Sequence, residues 1–192
     1  MTVRAETTRD AIVAAAVPVF GRYGFRKTTM DLLAQAAGVS RPAVYQYFPN
    51  KAAVFRAVAE TVGAELHAVA LAASATGATT ADRLFALLWV KLEFAASTVA
   101  ADYRQELVRE AAALAGDLIA ETEARYAALV TAILEDAPEL DLLGVAMSSE
   151  DAAVLLTDAM VGIARSAATA EQMRSRLRQL VDLAVRGLTS RP

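Results

Sequence analysis

The stretch TTMDLLAQAAGVSRPAVYQYFPNKAAVF, residues 28–55, contains two short amphipathic segments that meet at Ala37-Gly38-Val39. Thr28, followed three residues later by Asp31, has the form of a capping box and predicts that the first helix begins there. Gly38 suits the left-handed turn that ends such a helix, because it has no Cβ. The stretch therefore predicts two helices joined by a tight turn.

The second segment, residues 41–48, has an apolar side and a polar side. Ser40 is a good N-cap for this helix, and Arg41 is the alternative cap because a residue before proline resists helical geometry. Val44 and Phe48 are one helical turn apart, so we expect them to pack on the first helix. This arrangement is typical of a helix-turn-helix, whose second helix lies in the major groove of DNA.

The polar side chains of the second segment suit contacts with DNA. Arginine binds guanine or phosphate, glutamine reads adenine, and a tyrosine hydroxyl reaches backbone oxygens. Lys51 stands at the start of the next helix, where we expect its ammonium group to meet a phosphate. The alternative is an ordinary helical hairpin with a solvated polar face, since look-alike patterns are common.

The same stretch resembles the DNA-binding signature of the tetracycline-repressor (TetR) family of bacterial regulators. The features that carry the resemblance lie in about the first 60 residues: Phe20, Gly24-Phe25, Thr28-Thr29, Ala37-Gly38-Val39-Ser40, Tyr45, Phe48 and Lys51. Tyr47 stands where many members have histidine and Pro42 where many have glycine, so the operator sequence stays open. The resemblance implies an N-terminal three-helix helix-turn-helix domain and a C-terminal helical ligand-binding and dimerisation domain.

The residue pattern and the resemblance together define a set of predicted DNA-binding residues. We expect phosphate contacts from side chains with a hydroxyl or ammonium group: Thr29, Tyr45, Tyr47 and Lys51. We expect the first turn of the second helix and its glutamine to face the bases: Arg41, Pro42, Ala43 and Gln46. Ser40, the expected N-cap, completes the set.

Charge is distributed unevenly along the 192 residues. Residues 1–51 hold seven Lys/Arg and three Asp/Glu, a net charge of +4, whereas the remainder holds 12 and 19, a net charge of −7. A basic head on an acidic body is expected when a nucleic-acid-binding domain is joined to a domain that does not bind nucleic acid. We therefore predict a DNA-binding domain in residues 1–55 and a helical ligand-binding and dimerisation domain in residues 56–192.

Composition predicts an all-α protein and disfavours several classes of function. Hydrophobic residues make up 56% of the chain, much of it alanine, and no β-branched or aromatic runs repeat at period two. With no cysteine and His67 as the single histidine, few nucleophile–base pairs or transition-metal sites can form. We predict that the chain is not an enzyme and needs neither metal nor cofactor.

A cytoplasmic location is expected. The apolar run at 11–20 follows two arginines, but Glu6 and Asp10 are in the wrong place for a signal peptide and no clean cleavage site follows. The longest later stretch without charge, residues 66–81, carries histidine, serine, threonine and a glycine, so it is not expected to span a membrane.

Helical patterns continue through the whole chain. The first predicted helix is capped by Thr7, contains Pro18 as a kink and ends at Gly24. Later helices are predicted from 51 to about 73, then at 82–100, 102–113, 117–134, 150–168 and 170–188. Ser149 and Thr169 are the expected caps of the last two, and residues 137–147 are predicted to be irregular.

The resemblance implies a ligand pocket and a dimer in the C-terminal part. Aromatic and methionine side chains on helices around the expected cavity form the predicted ligand-binding set: Phe85, Trp89, Tyr103, Tyr126 and Met160. Such side chains at helical spacing are more often core than ligand contacts. An apolar lining favours a hydrophobic or aromatic effector.

The last two helices carry small and apolar residues at helical spacing, which favours a four-helix bundle between two copies. The alternative is that these faces complete the core of a monomer. The predicted function is a ligand-responsive regulator, a repressor that binds a palindromic double-stranded DNA operator as a homodimer and is released by a small molecule. The alternative is a helical small-molecule-binding or interaction module that no longer binds DNA specifically.

Overall fold

The computed structural model describes residues 2–142, 144 and 146–189, with side chains from Thr7 onward. Within those residues the chain forms eight α-helices and a 3₁₀ turn, and an isolated bridge joins Leu140 to Thr189. The elements are α1 (Thr2–Lys27), α2 (Met30–Ala36), α3 (Arg41–Tyr47), α4 (Lys51–Ser74), α5 (Thr80–Thr98), the 3₁₀ turn (Ala101–Tyr103), α6 (Arg104–Glu135), α7 (Ser149–Ser166) and α8 (Ala170–Leu188). The predicted all-α fold is confirmed.

The chain divides into two compact units. Unit 1 consists of residues 1–64 and 97–120, and unit 2 consists of residues 65–96 and 121–192. The predicted domain boundary after residue 55 follows chain order, whereas packing adds a distant segment to the N-terminal unit. The chain passes from unit 1 to unit 2 within α4 and again within α6.

The core of unit 1 joins α1, α2, α3 and α4. Its most buried side chains include Ile12, Ala16, Leu33, Val44 and Val54, each with no exposed surface. Three aromatic rings tie α1 to α4: the centroid of the Phe55 ring lies 5.0 Å from that of Phe20 and 5.2 Å from that of Phe25, both edge to face. Such pairs stabilise a core beyond the area that they bury.

The segment 97–120 belongs to unit 1 because it is bonded to the C-terminal part of α1. The backbone N–H of Ala100 donates to the Gly21 carbonyl at 3.0 Å. The Arg26 backbone N–H donates to the Glu106 carboxylate at 2.9 Å, and the Arg26 side chain is 3.9 Å from Glu110. No local signal marks these contacts, since the partners are about 80 residues apart.

A bidentate ion pair joins α4 to α6 within unit 1. Arg56 Nη1 donates to Asp117 Oδ1 at 2.6 Å, and Nη2 donates to Oδ2. The Arg56 guanidinium holds the pKa of Asp117 at about 2. Because both groups are exposed, this pair adds little to stability on its own.

Two predicted helix starts are one residue off. Thr29 is the N-cap of α2, and its hydroxyl accepts from the Leu32 N–H at 3.2 Å. Thr28 is instead buried and donates its hydroxyl to the Gly24 carbonyl at 2.6 Å, so it cannot cap. The cap of α7 is likewise Ser148 rather than Ser149.

Other predicted starts also differ: α1 begins at Thr2, so Thr7 lies inside the helix and does not cap it, and α5 begins at Thr80 rather than at residue 82. Three further boundaries agree with the sequence prediction. Alpha-helix α1 is interrupted at Gly24, whose φ of 72° and ψ of 173° are not helical. The predicted gap between helices at 113–117 corresponds to a non-helical residue inside α6, Ala115, with φ −143° and ψ 32°. Thr169 caps α8 by accepting from the Gln172 N–H at 3.1 Å.

Unit 2 has a separate apolar core formed by α5, the second half of α6, α7 and α8. Its largest side chain without exposed surface is Tyr126, whose hydroxyl donates to the Leu87 carbonyl at 2.6 Å. Burial raises the pKa of this hydroxyl far above its ordinary value. None of the helices in the described ranges has, alone, both the length and the apolar character to cross a membrane.

Candidate nucleic-acid interface

The turn between α2 and α3 has the predicted geometry. Gly38 has φ +65°, the left-handed region that favours glycine. Its N–H donates to the Gln35 carbonyl at 3.2 Å, and the Val39 N–H donates to the Ala34 carbonyl at 3.0 Å, which closes the end of α2. Ser40 caps α3, accepting from the Ala43 N–H at 3.3 Å. Of the two residues predicted as the N-cap of α3, Ser40 is the cap in the structure, and Arg41 is the first residue of the helix.

Alpha-helix α3 buries one side and exposes the other. Val44 has no exposed surface and Phe48, directly after the helix, retains 3%, so the predicted apolar stripe is confirmed. Helical geometry places Pro42 and Gln46 on the face opposite Val44, and both are exposed. Gln46 therefore points most directly away from the core.

The predicted DNA-binding residues differ in exposure. The exposed members are Thr29, Ser40, Arg41, Pro42, Tyr45 and Gln46, and the half-buried ones are Ala43, Tyr47 and Lys51. Tyr45 stands out among the aromatic residues because 44% of its surface is exposed. Tyr47 packs partly against the core of unit 1, so its ring has a structural role in addition to any contact of its hydroxyl.

Arg41 has two neighbours, one on α2 and one on α3. Its Nη1 lies 3.2 Å from Asp31 Oδ2 on α2, and its Cζ lies 5.6 Å from the centroid of the Tyr45 ring. Hydrogen bonding with Tyr45, followed by the charge of Asp31, raises the pKa of Arg41 above its ordinary value. The guanidinium is therefore a permanent cation held at the edge of α3.

The ammonium group of Lys51, for which a phosphate contact is predicted, is already bonded within unit 1. Lys51 Nζ donates to the carbonyls of Phe25 at 2.6 Å, Thr28 at 2.8 Å and Arg26 at 3.3 Å. It also lies 4.3 Å from the centroid of the Phe25 ring. All three ammonium hydrogens have acceptors at the end of α1, so Lys51 holds the start of α4 to that end.

A cation that sequence reasoning missed lies beside the end of α3. Arg9 Cζ on α1 is 5.4 Å from the centroid of the Phe48 ring, and 44% of the Arg9 side chain is exposed. Arg9 Nη1 lies 3.9 Å from Asp10 Oδ1. Its membership of the basic N-terminal segment was the available signal, but nothing local indicates which basic residues approach α3.

The structure brings together four of the five predicted ligand-binding residues and separates the fifth. Phe85, Trp89, Tyr126 and Met160 all belong to unit 2, where Phe85 and Trp89 stack with centroids 6.3 Å apart. Tyr103 lies in unit 1, and its hydroxyl accepts from Lys27 Nζ at 2.9 Å. The 3₁₀ turn that carries Tyr103 packs on α1, and a ligand contact of Tyr103 stays a prediction.

A surface groove of about 270 Å³ in unit 2 is lined by Phe85 of α5 and by Glu171, Arg174, Ser175 and Arg178 of α8. Arg178 Cζ lies 4.2 Å from the centroid of the Phe85 ring, and Arg174 Cζ lies 5.3 Å from that of Trp89. In the described residues, no cluster of three or more His, Asp or Glu side chains is arranged to hold a metal ion.

Comparisons with known proteins agree with this geometry. Residues 12–58 match the family model for bacterial regulatory proteins of the tetR family. The nucleoid occlusion factor SlmA of Actinobacillus pleuropneumoniae serotype 5b (strain L20) is 38% identical over 72 residues, 38% of this chain and 36% of SlmA. The HTH-type transcriptional regulator SrpR of Pseudomonas putida is 46% identical over 54 residues, 28% of this chain and 25% of SrpR. The chain thus covers about a third or less of these relatives.

The similarity of fold extends further than the similarity of sequence. A TetR-family transcriptional regulator (ECA1819) from Pectobacterium atrosepticum superposes with a TM-score of 0.72 at 23% identity, covering 100% of this chain and 99% of that chain. At that identity the likeness concerns the fold alone. TetR-family proteins are non-enzymatic DNA-binding transcription factors, in agreement with the prediction that the chain is not an enzyme. The helix-turn-helix of this chain, within residues 12–58, is thus similar to that of bacterial regulatory proteins of the tetR family.

Proposed function

We propose that this protein is a cytoplasmic transcriptional repressor that inserts α3 into the major groove of a palindromic operator. One observation carries the proposal: the exposed side of α3 presents Arg41, Tyr45 and Gln46 above a buried Val44, on a helix fixed by the Gly38 turn. A short helix with a buried stripe and outward polar side chains is the element that reads base edges in helix-turn-helix proteins. The similarity of residues 12–58 to bacterial regulatory proteins of the tetR family supports the same function.

The exposed side of α3 divides into base-facing and phosphate-facing positions. Gln46 and Pro42 are opposite the core, so they face the base pairs, with Gln46 suited to adenine. Arg41 stands at the edge of the same face and suits guanine. Thr29, Tyr45 and the hydroxyl of Tyr47 flank this centre and suit phosphates.

Arg41→Ala and Tyr47→Phe are expected to affect DNA binding differently. Arg41→Ala removes a base contact, so discrimination at one base pair should fall by about 1–3 kcal/mol. Tyr47→Phe keeps the ring that packs on the core and removes only the hydroxyl, so all duplexes should weaken to a similar degree. Competition binding with single-base variants of the selected duplex measures both effects. If Arg41→Ala leaves the preference at every position intact, Arg41 does not read a base.

A homodimer formed through α7 and α8 is part of the proposal. Leu155 of α7 and Leu183 of α8 are 56% and 72% exposed, which is unusual for leucine on helices that also contribute to a core. A Cβ added at Gly162 of α7 would meet no heavy atom within 4 Å, so a second helix can approach closely there. A two-fold dimer would present two copies of α3 to the two halves of a palindrome.

Leu183→Glu is expected to convert the dimer to a monomer, because it places a charge in the centre of a buried apolar contact. The matched control is Leu71→Glu on α4, a leucine that is 52% exposed and outside the proposed interface. Light scattering after size-exclusion chromatography measures the mass of both variants. A dimeric Leu183→Glu protein, or a monomeric Leu71→Glu protein, contradicts the proposed interface.

The proposed effector is a small hydrophobic or aromatic molecule bound in unit 2. Support comes from the stacked pair Phe85 and Trp89, of which Phe85 also lines the groove on α5 and α8. Because α4, α5 and α6 each contain a crossing between unit 1 and unit 2, a change in unit 2 has three covalent routes into unit 1, which contains the helix-turn-helix. The effector releases DNA only if it binds more tightly to the conformation that does not fit the operator.

Selection of bound duplexes from a random pool, repeated over a series of salt concentrations, tests the proposed function. We expect enrichment of a palindrome and an affinity that falls steeply with salt. Trp89, the single tryptophan, then serves as a fluorescence reporter when candidate effectors are added to the complex. A folded dimer that enriches no sequence would favour the alternative, a small-molecule-binding or interaction module that has lost specific DNA binding.

A further inference from the structure

The carboxylate of Asp31 lies on the surface that the proposed function turns towards DNA. It is in the first turn of α2, two residues after Thr29, and 64% of its side chain is exposed. A negative charge next to phosphates opposes binding. A carboxylate at this position therefore needs a function that offsets the repulsion. Among the described residues, its ion-pair partner is Arg41.

Asp31 and Tyr45 restrict the guanidinium of Arg41 from two directions. Asp31 Oδ2 accepts from Nη1 at 3.2 Å, and the Tyr45 ring lies beneath the guanidinium with its centroid 5.6 Å from Cζ. A guanidinium carries five N–H groups. The bond to Asp31 uses one of them and leaves the rest of the planar fork available to a base.

We infer that Asp31 is a specificity-determining residue of the DNA interface, whose carboxylate orients Arg41 towards a guanine rather than a phosphate. Arginine binds either group, and guanine recognition requires the fork to meet O6 and N7 in one plane. A side chain held by a carboxylate on α2 and an aromatic ring on α3 presents that plane in a fixed direction. This inference rests on the proposed function, since it assigns a role within the proposed DNA contact.

Removal of the Asp31 charge should change affinity and specificity in opposite directions. Asp31→Asn deletes a negative charge near the phosphates, so binding to duplexes of random sequence should strengthen. The same change frees Arg41, so discrimination at its base pair should fall by about three- to tenfold. This effect is larger than the effect of losing a fully exposed ion pair, because bound DNA excludes water from the pair between Asp31 and Arg41. A residue that only supports the start of α2 would instead weaken binding to every duplex.

The test compares the parent protein with Asp31→Asn, Arg41→Ala and the double variant, each as the full chain. Affinity is measured for the selected duplex, for a duplex altered at the base pair that Arg41→Ala identifies, and for a random duplex. We expect Asp31→Asn to reduce discrimination at that base pair in the parent background and to leave it unchanged in the Arg41→Ala background. Asp31→Glu keeps the charge and the first-turn acid but moves the carboxylate, so its discrimination should be intermediate.

Asp10→Asn is the matched control, because it removes a carboxylate in the same unit that is 72% exposed and adjacent to Arg9. It alters net charge equally and should leave discrimination unchanged. The inference is overturned if Asp31→Asn keeps full discrimination, if it loses as much in the Arg41→Ala background, or if Asp10→Asn reproduces its effect. A parent protein that enriches no sequence overturns the proposed function and this inference together, whereas a parent that selects a palindrome with Asp31 inert overturns the inference alone.

Discussion

Replacement of Gly21 by alanine should lower the free energy of unfolding of unit 1 by about 2–4 kcal/mol. Gly21 is buried in α1, where a Cβ would overlap the carbonyl oxygen of Thr98. The obstructing atom belongs to the backbone and cannot rotate away, so the start of the segment 97–120 would have to move. That movement would also strain the bond from the Ala100 N–H to the Gly21 carbonyl, 3.0 Å long.

The matched control is Gly116→Ala in α6, also in unit 1. A Cβ at Gly116 meets no heavy atom within 4 Å, so this variant should be neutral or more stable by up to about 1 kcal/mol. Urea unfolding followed by far-UV circular dichroism and hydrogen exchange of peptides from α1 measure both variants. Equal stability of Gly21→Ala and the parent would contradict the close approach of α1 to Thr98.

The helix-turn-helix could be predicted from the sequence because its signals are local. Gly38 supplies the turn, Ser40 the cap, and the spacing of Val44 and Phe48 fixes which side of α3 is buried. Each of these depends on residues within one or two helical turns. The single shift in this region, from Thr28 to Thr29 as the cap, arose because either threonine fits the pattern and only the bond to Gly24 removes Thr28.

The two segments that make up unit 1 could not be predicted, because their association depends on contacts between residues far apart in the chain. Nothing near Gly21 indicates that Thr98 will approach it, and nothing near Tyr103 indicates that Lys27 is its partner. Aromatic character alone placed Tyr103 in the ligand-binding set. The same limit applies to Arg41, whose residue type suggested base contact but gave no hint of the bond to Asp31.

Lys51 is the second position where a substitution should have a large effect. Lys51→Met retains the length and the apolar stem of the side chain and removes the ammonium group. Three carbonyls at the end of α1 lose a charged donor, and those of Phe25 and Thr28 are part-buried, so water cannot fully replace it. The expected loss in the free energy of unfolding of unit 1 is about 2–3 kcal/mol.

Lys27→Met is the control for this variant, because Lys27 donates to Tyr103 in an exposed position and its loss should cost less than about 1 kcal/mol. Hydrogen exchange of the α1 and α4 peptides should accelerate in Lys51→Met and stay near the parent rate in Lys27→Met. Trp89 fluorescence reports unit 2 separately and should change little.

A phosphate-binding lysine would give a different result: unchanged stability, weaker binding to all duplexes and a salt dependence reduced by about one counterion. The three carbonyl contacts favour the loss of stability, which would mean that Lys51 supports the DNA-binding surface by joining α1 to α4.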